Sequence, residues 1–214
     1  MKTVLINGVI HRPLESGGTR IDTLGLDSQY DYDPLWAKLV ELRVSPSFHA
    51  SGQGWGSRRS PSSYVYNHIG SFGASAEAIC KSLFLGGVTR RFPELCFAFL
   101  EGGVGYACNL FADIVSHWEK RNGFAIESLD PARINVDEMR DYFARYGDDR
   151  IQRAIEPMAK QLERGEVRPE QLDEFAALEA KTVDDLRDLF VPRFYFGCEA
   201  DDPMVAWAFA SNVN

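Results

Sequence analysis

A carboxylate and an imidazole stand where an α/β sheet keeps its chemistry. Residues 92–106 read FPELCFAFLEGGVGY, an apolar run over 95–100 that passes straight into Glu101 and then Gly102, Gly103 and Gly105. A run apolar at every position is the pattern of a strand covered on both faces in a parallel sheet. Loops converge at the C-terminal end of such a strand, and the following helices turn their N-termini inward there. The glycines let the backbone turn sharply and come close to a ligand. Glu101 can therefore move a proton or hold a cation; a helix N-terminal acid held by the dipole is the structural alternative. His49 ends a second short strand, residues 44–49 (VSPSFH), and faces the glycine-rich loop 50–56, which carries Trp55 and is followed by Arg58 and Arg59. There an imidazole is a candidate metal ligand or general base, or a hydrogen-bonded structural residue. A third strand, residues 194–198 (FYFGC), ends in Glu199, Asp201 and Asp202. Parallel strands bring His49, Glu101 and the acids of 199–202 to one end of the sheet, with His68 near by, just ahead of a helix. Trp55, Tyr64, Tyr66 and Tyr106 suit a planar or apolar substrate, and suit packing equally.

The elements that must position these side chains follow from periodicity. Residues 4–10 (VLINGVI) are β-branched and apolar and predict one buried strand. Residues 14–33 form a Gly- and Asp-rich loop of a length that is usually functional, in which the aspartates, Asp22 among them, read mostly as solvated turn residues. Asp33 before Pro34 predicts an N-cap and first helical residue, and the stripe Leu35, Trp36, Leu39, Val40 carries the helix to about Leu42. Residues 74–85 predict a second helix stopped by Gly86 and Gly87, and 106–118 a third. Strand, helix, strand, helix, strand, helix implies a parallel sheet wound by right-handed crossovers. Residues 121–190 then read as a charged helical insertion of four helices, 172–178 being the third of them, with Pro157 bending or breaking the second and Thr182 capping the fourth. The whole chain, residues 1–214, is expected to be one domain.

Composition narrows the partners. A net charge of -8 argues against nucleic acid, since phosphate binding needs a basic surface, and leaves a small molecule or another protein. No apolar window is long enough for a signal peptide or a membrane span. The four cysteines, at 80, 96, 108 and 198, make no CxxC pair and mostly lie in apolar periodic segments, the usage of buried thiols in a reducing compartment. A cytoplasmic protein without disulfides is expected.

VSPSFHASG (44–52), AEAICKSLFLGGVTRRFPELCFAFLEGGVGY (76–106) and FYFGCEADDP (194–203) together resemble the amidohydrolase-related family. This is the branch of the amidohydrolase superfamily that includes the aminocarboxymuconate semialdehyde decarboxylase-like enzymes. The resemblance implies a distorted (β/α)8 barrel, here about strands 4 to 7 with a helical insertion, and a divalent metal, often zinc, at its C-terminal face. His49 falls on the family's fifth-strand ligand. Glu101 falls where many members carry a sixth-strand histidine, and a carboxylate can bind zinc or act as a base in its place. The family's first-strand HxH occurs nowhere in the 214 residues, and no last-strand Asp follows 203, so the resemblance implies a chain lacking the first strands and the last.

Three readings compete. In the first, the chain serves a metal-dependent hydrolase or decarboxylase acting on a small organic substrate. His49 and Glu101 hold the metal, Glu101 and His68 move protons, and Trp55, Arg58, Glu199 and Asp202 touch the substrate. In the second it is a degenerate barrel or fragment that only binds, because one His and one Glu fall short of the three protein ligands of a catalytic zinc. In the third it is a small α/β domain that takes an anion on Arg58 and Arg59. An open sheet with two unpaired edges would also favour a homo-oligomer.

Overall fold

Two short aromatic strands, a proline-containing strand and one exposed strand build the frame of this chain. The computed structural model describes residues 2–49, 59–163 and 172–210. They fall into two compact units, residues 2–116 with 177–210 and residues 117–176.

The first unit is built on a parallel sheet. Its strands are β1 (Lys2–Leu5), β4 (Val44–Phe48), β5 (Phe97–Phe99) and β6 (Phe194–Phe196), in the order β1-β4-β5-β6. Register runs Leu5↔Ser47, Phe48↔Phe99 and Phe99↔Phe196. The helices between them are α1 (Asp33–Leu42), α2 (Tyr64–His68), α3 (Ser71–Leu85), α4 (Val88–Arg91), α5 (Gly105–Arg121) and α8 (Val183–Phe190), and α9 (Met204–Ala210) follows β6. A four-stranded parallel sheet with helices is the arrangement of part of a (β/α)8 barrel, as the resemblance implied.

The core is aromatic. Phe84, Phe97, Phe99, Phe190 and Trp36 are fully buried, and Phe84, Phe111 and Phe194 all meet Phe190 with ring centroids 5.0 to 5.4 Å apart. Each such ring contributes about 2–3 kcal/mol by leaving water, so α8 is held to the sheet by its apolar face. Residues 121–190 read as one charged insertion in sequence, but α8 sits with the sheet because Leu186 and Phe190 are buried in that core. Its N-terminus carries the expected cap: Thr182 and Asp185 form a reciprocal capping box.

Sequence expectation fails in four places nearby. Residues 4–10 are not one strand, since Val9 N–H donates to Asn7 Oδ1 in an Asx-type turn that stops β1. At Gly8 a Cβ would overlap Ile79 and Phe48. The 14–33 loop holds half of a hairpin, β2 (Ile10–Pro13) paired antiparallel with β3 (Thr19–Asp22), turned by Gly17 and Gly18 at positive φ. Asp33 is the first helical residue and not the cap, and its carboxylate takes both ends of the Arg91 guanidinium at 2.9 Å. The predicted third helix of the insertion, 172–178, shrinks to a single 3-10 turn, Ala176–Leu178.

The second unit is helical. It holds α6 (Val136–Tyr146) and α7 (Asp149–Glu163), which pack as a hairpin tied by Arg140 of α6 to Glu156 of α7, while Asp137 pairs with Arg140 within α6. Pro157 lies inside α7 without ending it. Ile126, Ala159 and Phe175 form its buried apolar set.

Candidate active site

Backbone bonds carry the strand ladder past the ends of β4, β5 and β6. Leu100 N–H donates to Phe48 C=O at 2.9 Å, Gly197 N–H to Phe99 C=O at 2.7 Å, and Gly103 N–H to Gly197 C=O at 3.1 Å. The residues just beyond the strands are thereby drawn together. His49 Nε2 stands 3.3 Å from Glu101 Oε1, with the imidazole 33% and the carboxylate 59% exposed. That is within reach of a hydrogen bond in which the imidazole donates. Glu101 adopts φ +58°, a left-handed conformation that costs a side-chain-bearing residue about 1–2 kcal/mol. Gly103 follows at φ +72°, and at Gly102 a Cβ would press on the Tyr106 ring at 2.9 Å. The turn thus needs glycine where it packs and tolerates strain where it carries a carboxylate.

The other candidates divide. His68 is exposed at the end of α2, stacked on Tyr64 at 5.3 Å and edge-on to Phe72 at 4.9 Å. His49 meets the same Phe72 ring at 5.5 Å, so one phenyl ring contacts both histidines. Asp202 spends its oxygens on backbone: Oδ1 accepts from Met204 N–H at 2.9 Å and Oδ2 from Val104 N–H at 3.4 Å. It thereby ties the start of α9 to the turn before α5. Glu199 is exposed, and its carbonyl accepts from Asp202 N–H. Trp55 and Arg58 lie outside the described residues. Tyr64 and Tyr66 are exposed. Tyr106 packs edge-on to Phe196 at 5.6 Å, and burial, helped by Cys80 and Glu77, pushes its phenol far above the ordinary 10. It is a packing residue.

Sequence reasoning missed two features. Phe72 is one, because the helix it opens was expected to start at Ala74. Asp22 is the other: it is 4% exposed and accepts from Leu24 N–H, Ser28 Oγ and Tyr32 Oη at 2.9 to 3.0 Å, with Arg12 Nε 3.5 Å away. The signal was there in Ser28 and Tyr32 of an Asp-rich segment, but not which Asp would be enclosed. Cys80 and Cys108 are buried, Cys96 half-buried and Cys198 exposed.

The family model described as Amidohydrolase matches residues 8–189. The chain belongs to the amidohydrolase family. No curated protein and no solved structure matches it. Amidohydrolases typically use a divalent metal, and the His49–Glu101 pair suits one: two ligands of a tetrahedral zinc at bonds of ~2.1 Å stand ~3.4 Å apart. Among the described residues no group of three His, Cys, Asp or Glu side chains gathers around a common point. No helix among them is long and apolar enough to cross a membrane.

Proposed function

We propose that this amidohydrolase hydrolyses or decarboxylates a small organic substrate, in the decarboxylase-like branch that its sequence resembles, with His49 and Glu101 at the reacting centre. The observation that supports the reading is their 3.3 Å approach at the C-terminal ends of parallel strands. With His49 Nε2 beside Oε1, Glu101 keeps Oε2 available to a proton on water or substrate. In hydrolysis that oxygen takes the proton of the attacking water and returns it to the leaving group. In decarboxylation the same oxygen first takes up a proton from solvent, and the Glu101 carboxyl then delivers it to the substrate carbon as the bond to the departing carbon dioxide breaks. His49, held by the carboxylate, presents one fixed edge to the substrate, and His68 is a second proton carrier on the exposed side. A zinc or similar cation held by His49 and Glu101 would supply Lewis acidity toward a carbonyl or carboxylate. Trp55, Arg58 and Glu199 are the substrate-side residues, and a cytoplasmic protein able to form homo-oligomers completes the proposal.

Calorimetric titration with zinc tests it. Two protein donors predict binding weaker than about micromolar, lost in both His49→Ala and Glu101→Gln. Nanomolar binding lost in both variants would mean that the chain itself supplies the third donor. Zinc binding untouched by either substitution overturns the metal assignment and favours a domain that only binds. A panel of esters, lactones and amides, read for acid release, beside carboxylates read for carbon dioxide, then separates the two reactions.

A further inference from the structure

Phe72 has no part in the chemistry above, yet it touches both imidazoles of the site. It is half-buried in the first turn of α3. Its ring meets His49 edge to face at 5.5 Å and 65°, and His68 at 4.9 Å and 86°. We infer that Phe72 is a positioning residue for His49, setting the imidazole so that Nε2 is turned to Glu101. The inference rests on the reading of His49 and Glu101 as the reacting centre.

An imidazole on a strand end turns about a soft, two-fold terminal torsion, and a half-turn exchanges a nitrogen edge for a carbon edge. A phenyl ring packed edge to face removes that freedom on one side, an effect equal to a roughly 2- to 12-fold preference. The wall that carries the ring is itself anchored. Asn67 pairs with Ser60 through both its amide groups, at 2.6 and 3.0 Å, and Ser71 Oγ donates to the Asn67 carbonyl. Gly70, at φ +71°, turns the chain from α2 into α3. On the other side, a Cβ at Gly73 would stand 3.2 Å from the Gly102 carbonyl. The first turn of α3 is therefore seated against the turn that follows Glu101. Phe72 is fixed relative to the carboxylate by Gly73 and relative to the imidazole by its own ring.

Imidazole nitrogen-proton correlation spectra of the zinc-free chain provide the test, since the four histidines can be assigned by single His→Gln variants. In the wild type, His49 is expected to carry its proton on Nε2, with ring protons displaced by the Phe72 ring current. Phe72→Leu should mix the two tautomers and remove the displacement while the backbone amide spectrum stays that of the wild type, and Phe72→Tyr should restore both. On a substrate from the panel above, kcat should fall about 3- to 10-fold in Phe72→Leu with KM unchanged. Should Phe72→Leu fail to fold, Gly73→Ala, which displaces α3 from Gly102, is expected to perturb the His49 tautomer in the same sense. A His49 signal identical to the wild type in the folded variant, or one that Phe72→Tyr does not restore, overturns the inference. Failure of the underlying reading looks different: Glu101→Gln would then leave zinc binding and turnover intact, whatever the His49 spectrum does.

Discussion

Asp22 and Glu101 are both carboxylates at the ends of strands, and the structure uses them in opposite ways. Asp22 is enclosed at the end of β3, with Leu24 N–H, Ser28, Tyr32 and Arg12 all directed at its two oxygens. Its backbone is ordinary, and at 4% exposure it is closed to a ligand. Glu101 is open to solvent, strained at φ +58°, and engaged on one oxygen by His49. A buried carboxylate is tolerated only when its lone pairs are satisfied. A strained, exposed one with a free oxygen has no such structural rationale. Saturation marks the structural acid, and strain with a spare lone pair marks the candidate for chemistry.

That contrast can be broken in order of expected effect. Glu101→Gln keeps the shape and removes the charge, so turnover should drop by about 100-fold or more, the contribution of a positioned acid or base. Its urea midpoint should stay within the error of the wild type, and a large loss of stability would make Glu101 a structural acid after all. Asp22→Ala should do the reverse, costing about 3 kcal/mol because Arg12, Tyr32 and Ser28 lose their common acceptor. Urea unfolding that shows less than about 1 kcal/mol would dissolve the distinction.

The same pair separates in acid. Burial alone would raise the Asp22 carboxyl, but the Leu24 amide, Tyr32, Ser28 and Arg12 together hold it below its ordinary 3.8. A depressed value stabilises the fold above about pH 4 and loses that contribution as pH falls from there through the folded-state value. Urea unfolding from pH 5 downward should therefore show stability falling with pH, and Asp22→Asn should flatten that slope. The smallest effect is the most telling. Glu101→Gly relieves the left-handed backbone, offset in part by glycine's greater unfolded-state entropy, and should stabilise the chain by about 0.5–1 kcal/mol while abolishing turnover. A destabilised Glu101→Gly would show that the strain assignment is wrong.

Much of the frame was legible from local pattern. The apolar runs at 95–100 and 194–198 contain β5 and β6, the short strand read at 44–49 contains β4, and their parallel order is what brings His49 to Glu101. Apolar continuity identifies a buried strand without knowledge of its neighbours. What failed needed neighbours. Asn7 and Gly8 look like strand residues inside VLINGVI until the Asx turn and the contact with Ile79 are seen. Asp22 was one aspartate among several, and nothing local says which will meet Tyr32 and Arg12. Phe72 was lost to a helix start placed three residues late, although Gly70 and Ser71 mark the true one. The charge of 183–190 hid the two side chains, Leu186 and Phe190, that dock α8 on the sheet.

The aromatic core also sets a timetable. Phe84, Phe97 and Phe99 are complete early in synthesis, while Phe190 and Phe194, which lie against them, follow about a hundred residues later, a long loop to close before the contact repays its entropy. At ribosomal rates of 5–20 residues per second that is a wait of roughly 5–20 s with an apolar sheet face uncovered. The His49 and Glu101 strands can pair in that interval. The Gly197 carbonyl that receives Gly103 N–H arrives with β6, so the turn carrying Glu101 is locked only when that strand docks.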